Sequence, residues 1–144
     1  MQVIGFNFDK IHAEKKKHQK GKIEVSSNIA IKSVEEEKLE AIKDKPVIKF
    51  DFEFFVTYKP DFADIRLNGT VMLLMEKDEA REVLKKWKDK KISQEVQLPL
   101  FNLILTKSNL KALQLEEELN LPTHVPLPRL KPPQENNNNT NYAG

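Results

Sequence analysis

The stretch Val47-Ile48-Lys49-Phe50-Asp51-Phe52-Glu53-Phe54-Phe55-Val56-Thr57-Tyr58 decides the fold of this chain. Ile48, Phe50, Phe52, Phe54, Val56 and Tyr58 fall on one side of an extended backbone. Lys49, Asp51, Glu53 and Thr57 fall on the other, which is the period of two expected of a strand with one buried face. Lys59-Pro60-Asp61 reads as a turn, after which Ala63, Ile65, Leu67, Gly69, Val71, Leu73 and Met75 alternate with Asp64, Arg66, Asn68 and Thr70. The two runs predict a long antiparallel pair with one apolar face, and that face needs a cover. Function turns on whether the cover is the chain's own helices, a sister subunit or a guest polypeptide.

Upstream, Ile4, Phe6 and Phe8 alternate with Gly5 and Asn7, and Ile11 and Ala13 then change parity, so a bulge is expected near Asp9–Lys10. A basic turn from Lys15 to Lys22 comes next, and Ile23, Val25, Ile29 and Ile31 restore the strand period. Glu35 to Pro46 is densely charged and reads as a turn-like link between two hairpins. Downstream, Ala80, Val83, Leu84 and Trp87 have helical spacing. Asp78 is placed to cap that helix, and Glu82 to pair with Lys85 or Lys86. A longer helix is expected over about Ser93–Glu118, with Pro99 kinking it or marking its start. The prolines within Leu119–Leu130 predict an extended strap, packed by Leu121, Val125, Leu127 and Leu130. Residues 1–131 read as one domain and 132–144, with the Asn136–Asn139 run, as a disordered tail.

Composition narrows the chemistry. A chain of 144 residues buries roughly two-thirds of its unfolded surface, enough to fold without metal or disulfide. The count of 24 basic against 22 acidic groups gives +2, far from the excess that marks a nucleic-acid binder. Cys is absent, which removes thiol catalysis and thiolate metal sites and suits a reducing interior. Met1–Asp9 has no basic stretch leading into an apolar segment, and no apolar run approaches the ~20 residues of a membrane span, so the reading is cytoplasmic. His12, His18 and His124 are scattered and the chain has Gly 4, which leaves no phosphate loop, metal site or catalytic triad to expect. The expectation is a non-enzyme with no cofactor.

The order of elements resembles the SecB family of export chaperones and its SecB-like relatives. The likeness rests on the opening strand with its bulge at Asp9–Lys10 and on the strand pair 47–75. It rests further on the proline-bearing helix start Leu98-Pro99-Leu100-Phe101-Asn102-Leu103-Ile104, and on Leu121-Pro122-Thr123-His124-Val125-Pro126-Leu127-Pro128 directly after the last helix. The resemblance implies an α+β fold, a four-stranded antiparallel sheet followed by two C-terminal helices. It also implies a dimer of dimers and grooves that hold unfolded polypeptide, a holdase with a place in protein transport. The family is typically acidic whereas this chain is slightly basic, so the fold carries over better than any export motor.

Phe50, Phe52 and Phe54 are expected in the core. Phe55, Phe62, Met72 and Leu74 form a second apolar set on the sheet's outer side, and with Leu100 and Phe101 they are the expected client or interface residues of a dimer or tetramer. The competing class is a ribosome- or RNA-associated factor using Lys15, Lys16, Lys17, Lys20 and Lys22 together with Lys85 and Lys88 around Trp87. It requires loop and helix to converge on one patch.

Overall fold

Four strands and two helices succeed one another as β1 (Gln2–Lys15), β2 (Glu24–Leu39), β3 (Ile42–Lys59), β4 (Ala63–Leu74), α1 (Lys77–Trp87) and α2 (Gln94–Glu118). The computed structural model describes residues 1–16 and 21–133, so Lys17, His18, Lys20 and the tail beyond 133 lie outside the described residues. The sheet is antiparallel in the order β1-β4-β3-β2. The aromatic strand and its partner are therefore the two central strands, and they pair continuously from Val47↔Leu74 to Tyr58↔Ala63. The edge strands are interrupted. Their register shifts between Val3 and Gly5 and between Phe8 and Lys10 in β1, and between Ile31 and Ser33 and between Glu37 and Leu39 in β2. The shift at Asp9 is the bulge that the change of parity predicts.

Glu35–Pro46 is not a linker. It belongs to the β2–β3 hairpin, which closes through Leu39↔Ile42 over Glu40–Ala41. The charge that argued against a strand is balanced across the ladder. Lys49 Nζ lies 3.0 Å from Glu35 Oε1 and 3.9 Å from Glu37 Oε2, and opposite charges facing each other favour pairing. Pro46 is tolerated because it falls where the β2–β3 ladder is interrupted, between Glu37↔Val47 and Leu39↔Ile42.

Both helices lie on the apolar face of the sheet, α1 over β2 and β3 and α2 over β3 and β4. One core cluster joins Val34, Ile48, Phe50, Phe52, Val71, Leu73 and Met75 to Ala80 and Val83 of α1 and to Val96, Leu100 and Ile104 of α2. A second joins Phe54, Val56, Tyr58, Phe62, Ile65 and Leu67 to Ala112 and Leu121. Each fully buried Phe contributes about 1.5–3 kcal/mol. The Phe6, Phe8 and Phe52 rings meet with centroids 5.2–6.2 Å apart. Gly69 makes room for them, since a Cβ there would stand 2.6 Å from Phe52 Cζ and 2.5 Å from the Asn7 carbonyl.

The buried side of α2 advances every fourth residue through Val96, Leu100, Ile104, Ser108, Ala112 and Glu116. Because four residues overshoot a full turn by about 40°, this stripe winds around the helix as it crosses the sheet. Apolar residues off the stripe are consequently left outside, and Leu98 and Leu110 are 68% and 65% exposed. Pro99 is accommodated within the helix and does not mark its start. Asp78 does not cap α1. The N-cap is Glu76, whose carboxylate pairs with Lys45 Nζ at 2.7 Å, while Asp78 sits inside the helix and faces Arg81 at 3.6 Å. Glu82 meets Lys86 at 3.6 Å, as the spacing predicts.

Candidate functional site

The two helices end in the same way. At the end of α1, Lys90 has φ 58, its N–H bonds to the Trp87 carbonyl at 2.8 Å, and the Lys91 N–H reaches back to the Lys86 carbonyl at 3.1 Å. At the end of α2, Asn120 has φ 53, with the corresponding bonds from Asn120 to Glu117 at 3.2 Å and from Leu121 to Glu116 at 2.8 Å. This pair of bonds around a left-handed residue satisfies the last carbonyls and reverses the chain sharply. The first reversal places Lys90, Lys91 and Ile92 beside edge strand β2. The second drives Leu121 into the core and starts the strap.

Beside the first reversal lies a groove of about 640 Å³ lined by Ile31, Lys32, Trp87, Lys90, Lys91, Ile92, Gln94, Gln97 and Phe101. Its apolar floor comes from three separate elements, Ile31 of β2, Trp87 of α1 and Phe101 of α2, with Ile92 between the helices. Lys32 is the residue skipped by the β2 register shift, so the bulge places it on the rim. Lys90 Nζ stands 4.7 Å from the centre of the Trp87 ring, a cation–π contact. A second cleft, of about 580 Å³, opens between the β2–β3 hairpin tip and α1, with Leu39, Ile42, Pro46, Ala80 and Leu84 among its lining residues.

No protein-family model matches the sequence, and no curated protein is similar enough to it to count as a match. Among solved structures, a SecB-like chaperone of Mycobacterium tuberculosis (Rv1957), in complex with a ChAD peptide from the Rv1956 HigA1 antitoxin, superposes with a TM-score of 0.55 at 13% identity. The match covers 92% of each chain. The fold is SecB-like.

On this SecB-like frame the residues expected to meet a client separate into three groups. Phe101 lines the groove. Leu100, its neighbour in α2, is 1% exposed, because it belongs to the stripe that faces the sheet. Phe62 is likewise buried, at 5% exposure. It lies in the β3–β4 turn, where strand parity does not apply, and with Asp61 at φ 45 its ring turns inward against Tyr58 at 6.5 Å. Phe55, Met72 and Leu74 do point to the outer side of the sheet and are half-buried, but they do not form one patch. Met72 is six residues from Arg66, the partner of Phe55, or roughly 20 Å along β4. The Arg66 guanidinium covers the Phe55 ring at 5.6 Å.

The ground between Phe55 and Met72 is polar. Glu53 accepts hydrogen bonds from Arg66 at 3.3 Å and Asn68 at 3.2 Å, and Thr70 Oγ1 lies 3.0 Å from Asp9 and 2.9 Å from Asp51. The Ser33 hydroxyl donates to Asp51 at 2.6 Å.

The described residues of the basic set stand on separate elements. Lys15 ends edge strand β1 and Lys16 directly follows it, with Lys15 donating to the Leu119 carbonyl at 3.2 Å and Lys16 paired with Asp61 at 3.1 Å. Lys22 precedes the opposite end of the sheet's order, where Glu24 pairs with Lys59. Lys85 belongs to α1 and Lys88 directly succeeds it, and that helix packs over β2 and β3. One shared basic face is therefore not formed by the described lysines.

Two histidine arrangements went unseen in the sequence. His12 Nε2 lies 3.6 Å from Glu14 and 3.8 Å from Asp64, brought together across the β1–β4 ladder. The set has metal-ligand chemistry, but Asp64 also faces Arg66 Nε at 3.7 Å and Lys16 Nζ at 3.8 Å, so its charge is balanced without an ion.

In the second arrangement the His124 and Glu116 side chains are fully buried. His124 Nδ1 is 2.8 Å from Glu116 Oε2, its Nε2 is 2.8 Å from Asn109 Oδ1, and its backbone N–H donates to Glu116 at 3.2 Å. The Tyr58 hydroxyl donates to the Pro122 carbonyl at 2.7 Å. Burial, and then the Glu116 carboxylate nearby, push the Tyr58 phenol far above its ordinary range, so it remains a donor. This clamp fixes the strap to α2 and β3. Only its near end is held: Leu127 is exposed and Leu130 is 96% exposed, contrary to the expectation that they pack. The signal for Glu116 was available in the sequence, since continuing Val96, Leu100, Ile104 by fours lands on it.

Proposed function

We propose that this protein is a SecB-like holdase that binds unfolded or partner polypeptide in the groove between β2 and the helices. The observation that carries the reading is the groove itself. Ile31, Trp87, Ile92 and Phe101 leave apolar surface open beside a strand whose outer edge has no partner among the described residues. An extended guest gains there both side-chain burial, at about 25 cal/mol per Å², and backbone hydrogen bonds to an edge strand. The structural neighbour's peptide complex is consistent with it. The activity needs no cofactor and no catalytic residue. Leu98 and Leu110 supply further apolar surface for self-association as a dimer or tetramer. The proposed setting is the cytoplasm, and no helix among the described residues is long and apolar enough to cross a membrane.

The protein should suppress aggregation of a chemically unfolded client at near-stoichiometric ratio without nucleotide, and the effect should persist at ~0.5 M salt, where interactions between exposed charges are screened. Trp87→Ala with Phe101→Ala should weaken it while the circular dichroism stays native. Absence of suppression, with ribosome co-sedimentation that salt abolishes, would overturn the reading in favour of an RNA-associated factor.

A further inference from the structure

The groove has a charge as well as a floor. Lys32, Lys90 and Lys91 line it and no carboxylate does. Four lysines elsewhere are paired, Lys16 with Asp61, Lys45 with Glu76, Lys49 with Glu35 and Lys86 with Glu82, so what sets the groove apart is three lysines gathered on one apolar floor. Among the described residues Lys90 and Lys91 have no carboxylate within ion-pair distance, and Lys32 reaches Glu53 only at 4.0 Å. The whole-chain charge of +2 would not suggest this concentration.

Placement of the three lysines is fixed by backbone features and not by flexible surface position. The β2 bulge sets Lys32, and the left-handed residue that ends α1 sets Lys90 and Lys91. Lys90 is held by the Trp87 ring, so its ammonium stands over the apolar floor. A cation held beside apolar surface with no paired carboxylate among the described residues is available to a guest carboxylate, and because Lys90 and Lys91 are exposed that attraction is screened by salt.

The geometry points to a guest of stated chemistry: an extended polypeptide segment in which apolar residues alternate with Asp or Glu. This inference rests on the polypeptide-binding reading and specifies the client class for the same groove. Alternation suits the site because successive side chains of an extended guest point opposite ways, one set to the floor and one to the rim. A segment alternating apolar residues with Lys meets the same floor and a repelling rim.

The test uses three short synthetic peptides with identical Leu and Phe residues, separated by Glu, Ser or Lys. Binding is read by fluorescence and calorimetry; Trp87 is the single Trp of the chain, so its emission reports this groove. At ~0.05 M salt the Glu peptide should bind at least ~10-fold tighter than the Ser peptide, with the Lys peptide weakest, and the differences should shrink at ~0.5 M salt. Lys90→Glu with Lys91→Glu should reverse the order, with native circular dichroism as the folding control. Equal affinities, or tightest binding of the Lys peptide, in a protein that still suppresses aggregation would overturn the acidic preference and leave the holdase reading standing. Failure of all three peptides to bind, together with no suppression of aggregation, would overturn both.

Discussion

The two ends of the helical layer are built on opposite terms. Where α2 finishes, the core is closed by a strap and a buried polar clamp, with Tyr58, Asn109, Glu116 and His124 hydrogen-bonded and His124 and Glu116 fully enclosed. Where α1 finishes and α2 begins, the same kind of chain reversal leaves Trp87 and Phe101 half-exposed around an open groove. The sheet beneath is continuous from one end to the other, because β3 and β4 pair without a shift. The difference is therefore made by the few residues just past each helix end. A residue pointing into the core, Leu121, seals one end, whereas two lysines and Ile92 keep the other open. Rigidity and accessibility have been assigned to separate places on one scaffold.

The largest effect should come from breaking the closed end. Glu116→Ala leaves His124 buried with no carboxylate and should cost about 3–5 kcal/mol in urea unfolding. Replacing both Glu116 and His124 by Leu should recover only part of that loss, because the residue-124 backbone N–H and Asn109 Oδ1 lose their partners. A cost below about 1 kcal/mol for Glu116→Ala would remove the basis for calling this end closed.

A smaller effect, of opposite sign, is expected where the two core clusters meet. Ser108 is fully buried on the α2 stripe and its hydroxyl is without a hydrogen-bond partner among the described residues. Ser108→Ala should raise stability by about 1 kcal/mol, since it removes the desolvation cost of an unmet polar group. A fall in the melting temperature would show that the hydroxyl has a function in the seam.

The smallest effect belongs to neither end of that comparison but to the hairpin tip at the start of α1. Lys45 and Glu76 join the β2–β3 hairpin tip to the start of α1. Hydrogen bonding and attraction to Lys45 lower the Glu76 carboxyl below its ordinary range, and the same contacts raise Lys45. The lowered acid stabilises the fold above its unfolded value, a contribution lost as pH falls through the folded value. The raised base stabilises below its unfolded value, and that contribution is lost as pH climbs through the folded one. Between those limits Glu76→Gln should shift the melting temperature only at the edge of detection, because both groups are exposed and solvent screens them. A clear loss at neutral pH that disappears in acid would show the hairpin tip to be held more firmly than its exposure implies.

The sheet and the helices were legible because their signals are local: period two in β3 and β4, helical spacing from Ala80 to Trp87, and the parity change at Asp9. The hairpin tip was not, since the charges of Glu35 and Glu37 are explained only by Lys49 across the ladder. Phe62 misled for a related reason: alternation was extended into a turn where it has no meaning. For the site, Phe101 and the lysines around Trp87 were visible, but their grouping with Ile31 and Lys32 depends on how α1 lies over β2. The clamp was hidden because partners separated by a helix end and a proline-rich segment have no spacing rule to find them by. Phe55 and Met72 were grouped on shared parity alone, and the polar ladder between them is a cross-strand property.

The bulges in the edge strands have a consequence for safety. A flat exposed edge is a template onto which further chains can stack without limit, and unfolded clients are the chains most ready to do so. Here both free edges are broken, at Ile4 and Asp9 in β1 and at Lys32 and Lys38 in β2. A guest strand laid along β2 can keep register over Glu24–Ile31 or over Ser33–Glu37, but not across Lys32 without a matching irregularity of its own. On the proposed holdase reading, such an edge would hold a short segment and stop, which would let the protein handle sticky chains without seeding a fibre from its own sheet.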